Sequence, residues 1–179
     1  MRDMSIIVVR HAPFREAYND PLRGYQQVGP QLTEEGRTMI PKELVPSLEK
    51  HRIDPKDSRV AISNSSWTRL TAEAAGFKDD GMTAYGYLDD VAQGMERSVL
   101  HALLKAGKLP KAAIRRAKEI LTDPPQESVW ISHGLVIAGL CEVLGVTADF
   151  ERPVPQFCEV RVLDIAAYAQ IEQTGIPPV

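Results

Sequence analysis

The sequence predicts an α/β protein, a three-layer α/β/α sandwich around a mainly parallel central sheet. Three observations carry this. Short β-branched apolar runs alternate along the chain with longer stretches of helical pattern, and such alternation implies strands joined by helical crossovers. The first of these runs is apolar at nearly every residue, as a strand covered on both faces must be. The chain has 179 residues, 44% of them hydrophobic, which suffices for one sizeable core and falls short of two ordinary domains. No repeat of 20 to 50 residues and no low-complexity segment divides it, so residues 1–179 read as one domain.

The elements follow in order. Ser5 to Val9 (SIIVV) is the first buried strand. In LTEEGR, Thr33 can N-cap a helix whose positive end is occupied by Glu34 and Glu35. Pro41 and Pro46 each lack the N–H an interior turn requires, which predicts two short helices or a kink. Arg59 to Ser63 (RVAIS) is a second buried strand, followed by helical pattern from Arg69 to Gly76, Arg97 to Ala106 and Lys111 to Leu121. The DPPQ run at 123–126 stops the last of these and leads into the strand Val129 to Ser132 (VWIS). Leu135 to Leu144 is helical, Val160 to Ile165 (VRVLDI) alternates enough for a peripheral strand, and the tail TGIPPV reads as irregular.

Composition excludes several functions. With 21 Lys+Arg against 24 Asp+Glu and a net charge of −3, the surface cannot neutralise the many phosphates a general nucleic-acid binder must engage. No apolar run approaches the roughly 18–20 residues of a membrane span, and the start MRDMSIIVVRHA lacks the apolar region of a secretory signal. Cys141 and Cys158 lie far apart in apolar stretches, which reads as two buried thiols in a reducing cytoplasm. No HxxxH or HExxH pair and no Cys/His cluster exists, so neither a metal nor another cofactor is expected. His51, near a predicted helix C-terminus, and His101, within an apolar helix, read as structural; His101 would face a site only if the region after residue 90 folds over it.

Chemistry in an open α/β sheet gathers beyond the carboxyl ends of the strands. Two of the four histidines stand there: Arg10-His11 follows SIIVV, and His133-Gly134 follows VWIS and opens a helix. Exposed amides at such a helix start favour an anion, and a phosphate suits the place. The Arg-His dipeptide alone is weak, since 4 His and 13 Arg in this chain give about 0.3 chance occurrences. Its company is more specific: LTEEGR at 32–37, a basic residue after a strand in SNSSWTRLTAEA, and SHG after another strand.

With VVRHA at 8–12, LTEEGR at 32–37, the Ser-rich segment leading to Arg69, and ISHGLVIAGL at 131–140, the sequence resembles the histidine phosphatase superfamily, the phosphoglycerate-mutase-like group, over positions 5 to about 165. The resemblance implies a phosphoglycerate-mutase-like fold and a covalent phosphohistidine on His11, the nucleophile. It implies Arg10 and Arg69 as phosphate-binding arginines and a protonated His133 on the phosphate opposite His11. A guanidinium offers paired donors that match phosphate oxygens, Gly134 leaves room for the phosphate at the helix terminus, and Ser65 or Ser66 can add a hydroxyl. The leaving alkoxide needs a carboxylic acid of elevated pKa, which once ionised can activate the hydrolytic water. The family's L-x-E segment corresponds to Leu88-x-Asp90, which selects Asp90, with Asp89 and Glu96 as alternatives.

The chain departs from the pattern where the leaving group would sit. RHG is RHA here, and the family's Thr three residues after the nucleophile is Phe14. The family's Asn, six residues after that His, is displaced to Asn19, so RHAPFREAYND can hold an insertion that brings Arg15 or Asn19 toward the phosphate. In the family's SSP-x-x-R-x-x-x-T-A spacing, Thr71-Ala72 follow Arg69 too soon. Residues 97–118 hold seven Lys+Arg and no acid; this is either a solvated helical face or part of a small cap, about 90–125, that draws anionic substrate in.

The reading is therefore a phosphatase acting on a phosphorylated small molecule. A phosphohistidine protein phosphatase, a phosphoglycerate-type mutase and a silent phosphate-binding module are the alternatives. Mutases of the family are longer, which favours hydrolysis. A cysteine phosphatase fails on spacing, since the sixth residue after Cys141 is Thr147 and after Cys158 is Asp164, neither an arginine. A P-loop kinase lacks its GK[ST] segment.

Overall fold

The computed structural model describes residues 4–24 and 26–175. Among these, nine strands and seven helices follow one another: β1 (Ser5–Arg10), β2 (Phe14–Arg15), β3 (Tyr18–Asp20), β4 (Gln26–Val28), β5 (Gln31–Leu32), α1 (Glu34–Met39), α2 (Val45–Lys50), β6 (Val60–Ile62), α3 (Ser66–Ala75), β7 (Met82–Ala84), α4 (Arg97–Lys105), α5 (Lys111–Thr122), β8 (Val129–Ser132), α6 (Gly134–Val143), β9 (Val160–Asp164) and α7 (Ala167–Thr174). The main sheet has the order β7-β6-β8-β1-β9. Its first four strands are parallel, and β9 closes the edge antiparallel to β1.

Alternation along β1 divides the core. Ile6 and Val8 join Trp130, Ile120, Ile137 and Leu140 on the face covered by α5, α6 and α7. Ile7 and Val9 join Ile62, Ile131, Ile40, Leu44 and Leu48 on the face covered by α1, α2 and α3. Both faces exclude water, which is why SIIVV and VWIS carry almost no polar residue. The fold class is the expected three-layer sandwich with a mainly parallel sheet.

Local expectations meet the structure as follows. Thr33 caps α1, its Oγ1 accepting from Gly36 N at 3.0 Å. Pro46 stands in the first turn of α2, and Pro41 falls within a π-helical turn, Ile40–Leu44, that joins α1 to α2. There Val45 N donates to Ile40 O, so the wider turn spares the bonds that proline cannot make. β7 and α7 have no counterpart in the sequence reading, because a three-residue, half-buried edge strand and a short terminal helix carry too little pattern. The tail TGIPPV is not irregular at its start: Thr174 ends α7 and Gly175 caps it at φ 66°, while residues 176–179 lie outside the described residues.

Two glycines permit close packing. A Cβ on Gly139 would stand 2.5 Å from Ala113 O, so α5 and α6 touch through their backbones. A Cβ on Gly36 would collide with Pro13 O, which brings α1 directly under the turn that follows His11. Thr33 N donates to the same Pro13 oxygen at 3.1 Å.

Candidate active site

β1 and β8 are parallel neighbours in a register that pairs Arg10 with Ser132. The residues that follow each strand therefore emerge side by side at its carboxyl end. His11 N donates to Ser132 O at 3.0 Å, and the His11 and His133 rings lie 4.9 Å apart between centroids. His11 is 5% exposed and His133 3%.

The hydrogen bonds fix what His11 can do. Its Nδ1 lies 2.9 Å from Ala12 O, and a carbonyl only accepts. Nδ1 thus carries the proton and Nε2 keeps the lone pair. His133 Nε2 meets Ser63 Oγ at 3.0 Å and Ser65 Oγ at 3.4 Å. Burial chiefly, with the Arg10 charge adding, holds His11 at about 4. Burial, then the neighbouring His11 and Arg10, hold His133 at about 4 against the pull of Asp90. Both imidazoles favour the neutral form, since two rings and a guanidinium in one dry volume oppose a further positive charge.

Arg10 is held from the far side. Its Nη1 donates to Pro155 O at 2.7 Å, and its guanidinium lies 4.0 Å above the Phe157 ring. Its buried Nε finds no acceptor among the described residues. Burial lowers the Arg10 pKa, while Asp90 and Glu159 oppose the shift. A Cβ on Gly134 would stand 3.2 Å from the Arg10 Cζ and 2.9 Å from Val154 Cγ1. Gly134 accordingly makes room for Arg10 and Val154 at the start of α6, where room for phosphate had been expected.

Behind Arg10 stands a residue that sequence reasoning passed over. Arg161, on β9, is 1% exposed. It donates to Glu159 Oε1 at 2.8 Å, Pro153 O at 3.0 Å and Arg152 O at 2.6 Å, and covers the Phe150 ring at 4.2 Å. Glu159 Oε2 in turn accepts from Gln156 N at 2.7 Å. The loop that presents Pro155 and Phe157 to Arg10 is pinned from below by this pair.

The acidic side is also ordered. Asp90 lies within electrostatic reach of Arg10, His11 and His133 and accepts from Ala92 N at 3.1 Å. Asp89 is occupied elsewhere, accepting from Asn64 N at 2.6 Å while its carbonyl accepts from Arg116 at 3.1 Å. Glu96 stands at the start of α4 and accepts from Ser98 Oγ at 2.5 Å. Of the three carboxylates, Asp90 is the one whose field acts on both histidines.

Three expected contacts are not formed. Arg69 lies on the outer side of α3, its Nη1 2.5 Å from Asp79 Oδ1, with 44% of its side chain exposed. Arg15 leans toward the Tyr18 ring at 5.9 Å on an exposed hairpin. Asn19, in β3, pairs with Gln27 of β4 and is exposed. The reason for the first lies in helical spacing. Thr71 is the residue of α3 that faces the site, accepting from Ala12 N at 3.0 Å. In R-x-x-x-T-A, the arginine stands four residues before that threonine, one helical turn away on the same face. Counting back from Thr71 gives Trp67, while Arg69, two residues off, points elsewhere. That count was available in the sequence.

Trp67 lies 6.2 Å from the His11 ring and stacks on Phe14 at 3.8 Å and 19°. Phe14 meets His11 edge-on at 5.3 Å, and Phe157 stands at 5.6 Å on another side. The pocket over His11 is therefore walled by three aromatic rings and one guanidinium. It adjoins a cavity of about 620 Å³ lined by His133, Ser65, Trp67, Asp89, Asp90, Glu16, Met95, Arg97 and Leu100, among others. His51 caps α2 at the surface, and His101 is exposed on α4. Cys141 and Cys158 are buried free thiols, Cys158 pushed up to about 12 by burial.

No protein-family model and no curated protein sequence matches the chain. Solved structures do match in fold. TTHB049 from Thermus thermophilus is 19% identical with a TM-score of 0.56, covering 89% of this chain and 93% of that one. A phosphoserine phosphatase from Entamoeba histolytica, solved with 3-phosphoglyceric acid, is 12% identical with a TM-score of 0.56, covering 88% and 89%. The open reading frame Rv3214 from Mycobacterium tuberculosis is 17% identical with a TM-score of 0.54, covering 90% and 91%. The chain shares the phosphoglycerate-mutase-like fold with these proteins.

Proposed function

We propose that the protein is a histidine-phosphatase-type hydrolase that cleaves a phosphomonoester through a covalent phosphohistidine on His11. The observation that carries this is the His11 Nδ1 to Ala12 O bond, which leaves a neutral Nε2 lone pair beside Arg10 and His133. In the first step Nε2 attacks phosphorus in line, an N–P bond forms, the P–O bond to the leaving group breaks, and Asp90 gives its proton to the departing alkoxide. In the second, water attacks phosphorus, Asp90 takes its proton, and the N–P electron pair returns to His11. Arg10 and the Ser65 hydroxyl donate to the non-bridging oxygens, and a phosphate oxygen would satisfy the buried Arg10 Nε. A phosphate dianion beside His133 favours its protonated form, since that charge opposes the burial and neighbouring cation that favour the neutral ring.

The decisive experiment traps labelled phosphate on the protein. The expected result is an acid-labile, base-stable adduct in the wild type, absent from His11→Ala together with at least about a thousandfold of kcat. Equal turnover of an aryl phosphate by both proteins discards the mechanism.

One observation favours a second reading, a silent phosphate-binding module. Trp67 stands where a second arginine would stabilise transferring charge, and removing such a group costs enzymes about 10²–10³ in rate. Phosphate binding without adduct or turnover is the result that selects it.

A further inference from the structure

Resting on the phosphomonoester reading above, we infer that the substrate's leaving group is flat and apolar and carries no negative charge, with Trp67 as the residue that selects it. The cavity beside His133 is asymmetric in chemistry. Trp67, Met95 and Leu100 give it apolar walls, and it is also lined by the acids Glu16 and Asp89 and one guanidinium, Arg97, beside Asp90, the acid of the first step. A leaving group bearing a carboxylate or second phosphate would leave water to meet like charges there, a costly exchange. A planar group instead extends the stack already begun, in which Phe14 covers one face of the Trp67 ring at 3.8 Å. The same indole stands one helical turn before Thr71, so the exchange of a cation for an aromatic falls on the face of α3 that meets substrate.

The test compares 2-phenylethyl phosphate with 3-phosphoglycerate, two esters of alkyl alcohols, one aromatic and one anionic. Wild type is expected to favour the phenylethyl ester in kcat/KM by about tenfold or more, the scale of one aromatic contact. Trp67→Phe keeps the preference, Trp67→Ala loses about tenfold on the phenylethyl ester alone, and Trp67→Arg turns the ratio toward 3-phosphoglycerate. Calorimetric binding of both esters to His11→Asn reads the same ratio without turnover. Preferential binding of the phenylethyl ester with no hydrolysis by the wild type leaves this inference standing and removes only the hydrolytic reading. A ratio that is unchanged across the Trp67 variants, a wild-type preference for 3-phosphoglycerate, or binding of neither ester overturns it.

Discussion

His11 and His133 meet in a volume that admits little water, and both rings favour the neutral form there. Each has a folded pKa of about 4 against about 6.5 when unfolded. Between those values the unfolded chain binds more protons, so stability rises with pH across the window. The contribution is fully present above about pH 6.5 and is lost as pH falls toward about 4, at no more than about 1.4 kcal/mol per pH unit for each ring. Melting temperatures measured from pH 7.5 to 4.5 should therefore fall, and His133→Asn should flatten the decline. The same depression keeps the nucleophile unprotonated, so kcat/KM should hold through pH 6 and fall only toward the lower limit. A fall centred near pH 6.5 contradicts the burial of His11.

Arginines at this scale are told apart by their partners. Arg10 has a carbonyl, an aromatic face and a buried Nε directed at the site, while Arg69 has a surface carboxylate. Arg69→Ala should change kcat/KM less than about twofold, since Arg69 is engaged in an exposed ion pair with Asp79, and such a pair contributes little. Arg10→Ala should cost about two to three orders of magnitude, as loss of a transition-state donor does. Steady-state kinetics on the two variants would settle their order.

At the scale of elements, helix phase and backbone contact govern the site. α1 lies so close beneath the His11 turn that Gly36→Ala must displace Pro13 O. That substitution should cost on the order of 3 kcal/mol by urea unfolding and lower activity with it, because the displaced turn carries the Ala12 carbonyl that orients His11. On the other flank, Arg161 fixes the loop that steadies Arg10. Arg161→Met should destabilise the fold by about 1.5–3 kcal/mol, the cost of losing charge-assisted hydrogen bonds to Glu159 and to the Arg152 and Pro153 carbonyls. Substrate binding should weaken with it, and Arg161→Lys should restore stability in part and binding less, since lysine cannot reach three acceptors at once.

Over the whole molecule, the division between what could be read and what could not follows the range of the interactions. Strands β1, β6, β8 and β9 were legible because burial on one or two faces writes itself into consecutive residues. Thr33 was legible as a cap because its partner, Gly36, is three residues away. Arg10, His11 and His133 were legible as a group because a parallel sheet places its strand ends on one edge. Arg69 misled because it is the only arginine of the SNSSWTRLTAEA segment, and nothing in residue type reveals which side of α3 it occupies. Gly134 was rightly seen as a small residue at a crowded helix start, but its crowding comes from Arg10 and Val154, which lie 124 and 20 positions away along the chain.

The sequence by itself determined the sandwich, the parallel sheet and the two histidines at its carboxyl edge, since these depend on local pattern and on a topology that pattern implies. Only the tertiary structure decided that both imidazoles favour the neutral form and that Arg161 steadies Arg10 from behind. Each of those depends on which side chains share a dry volume, and desolvation and charge act there through space between residues that the chain keeps far apart.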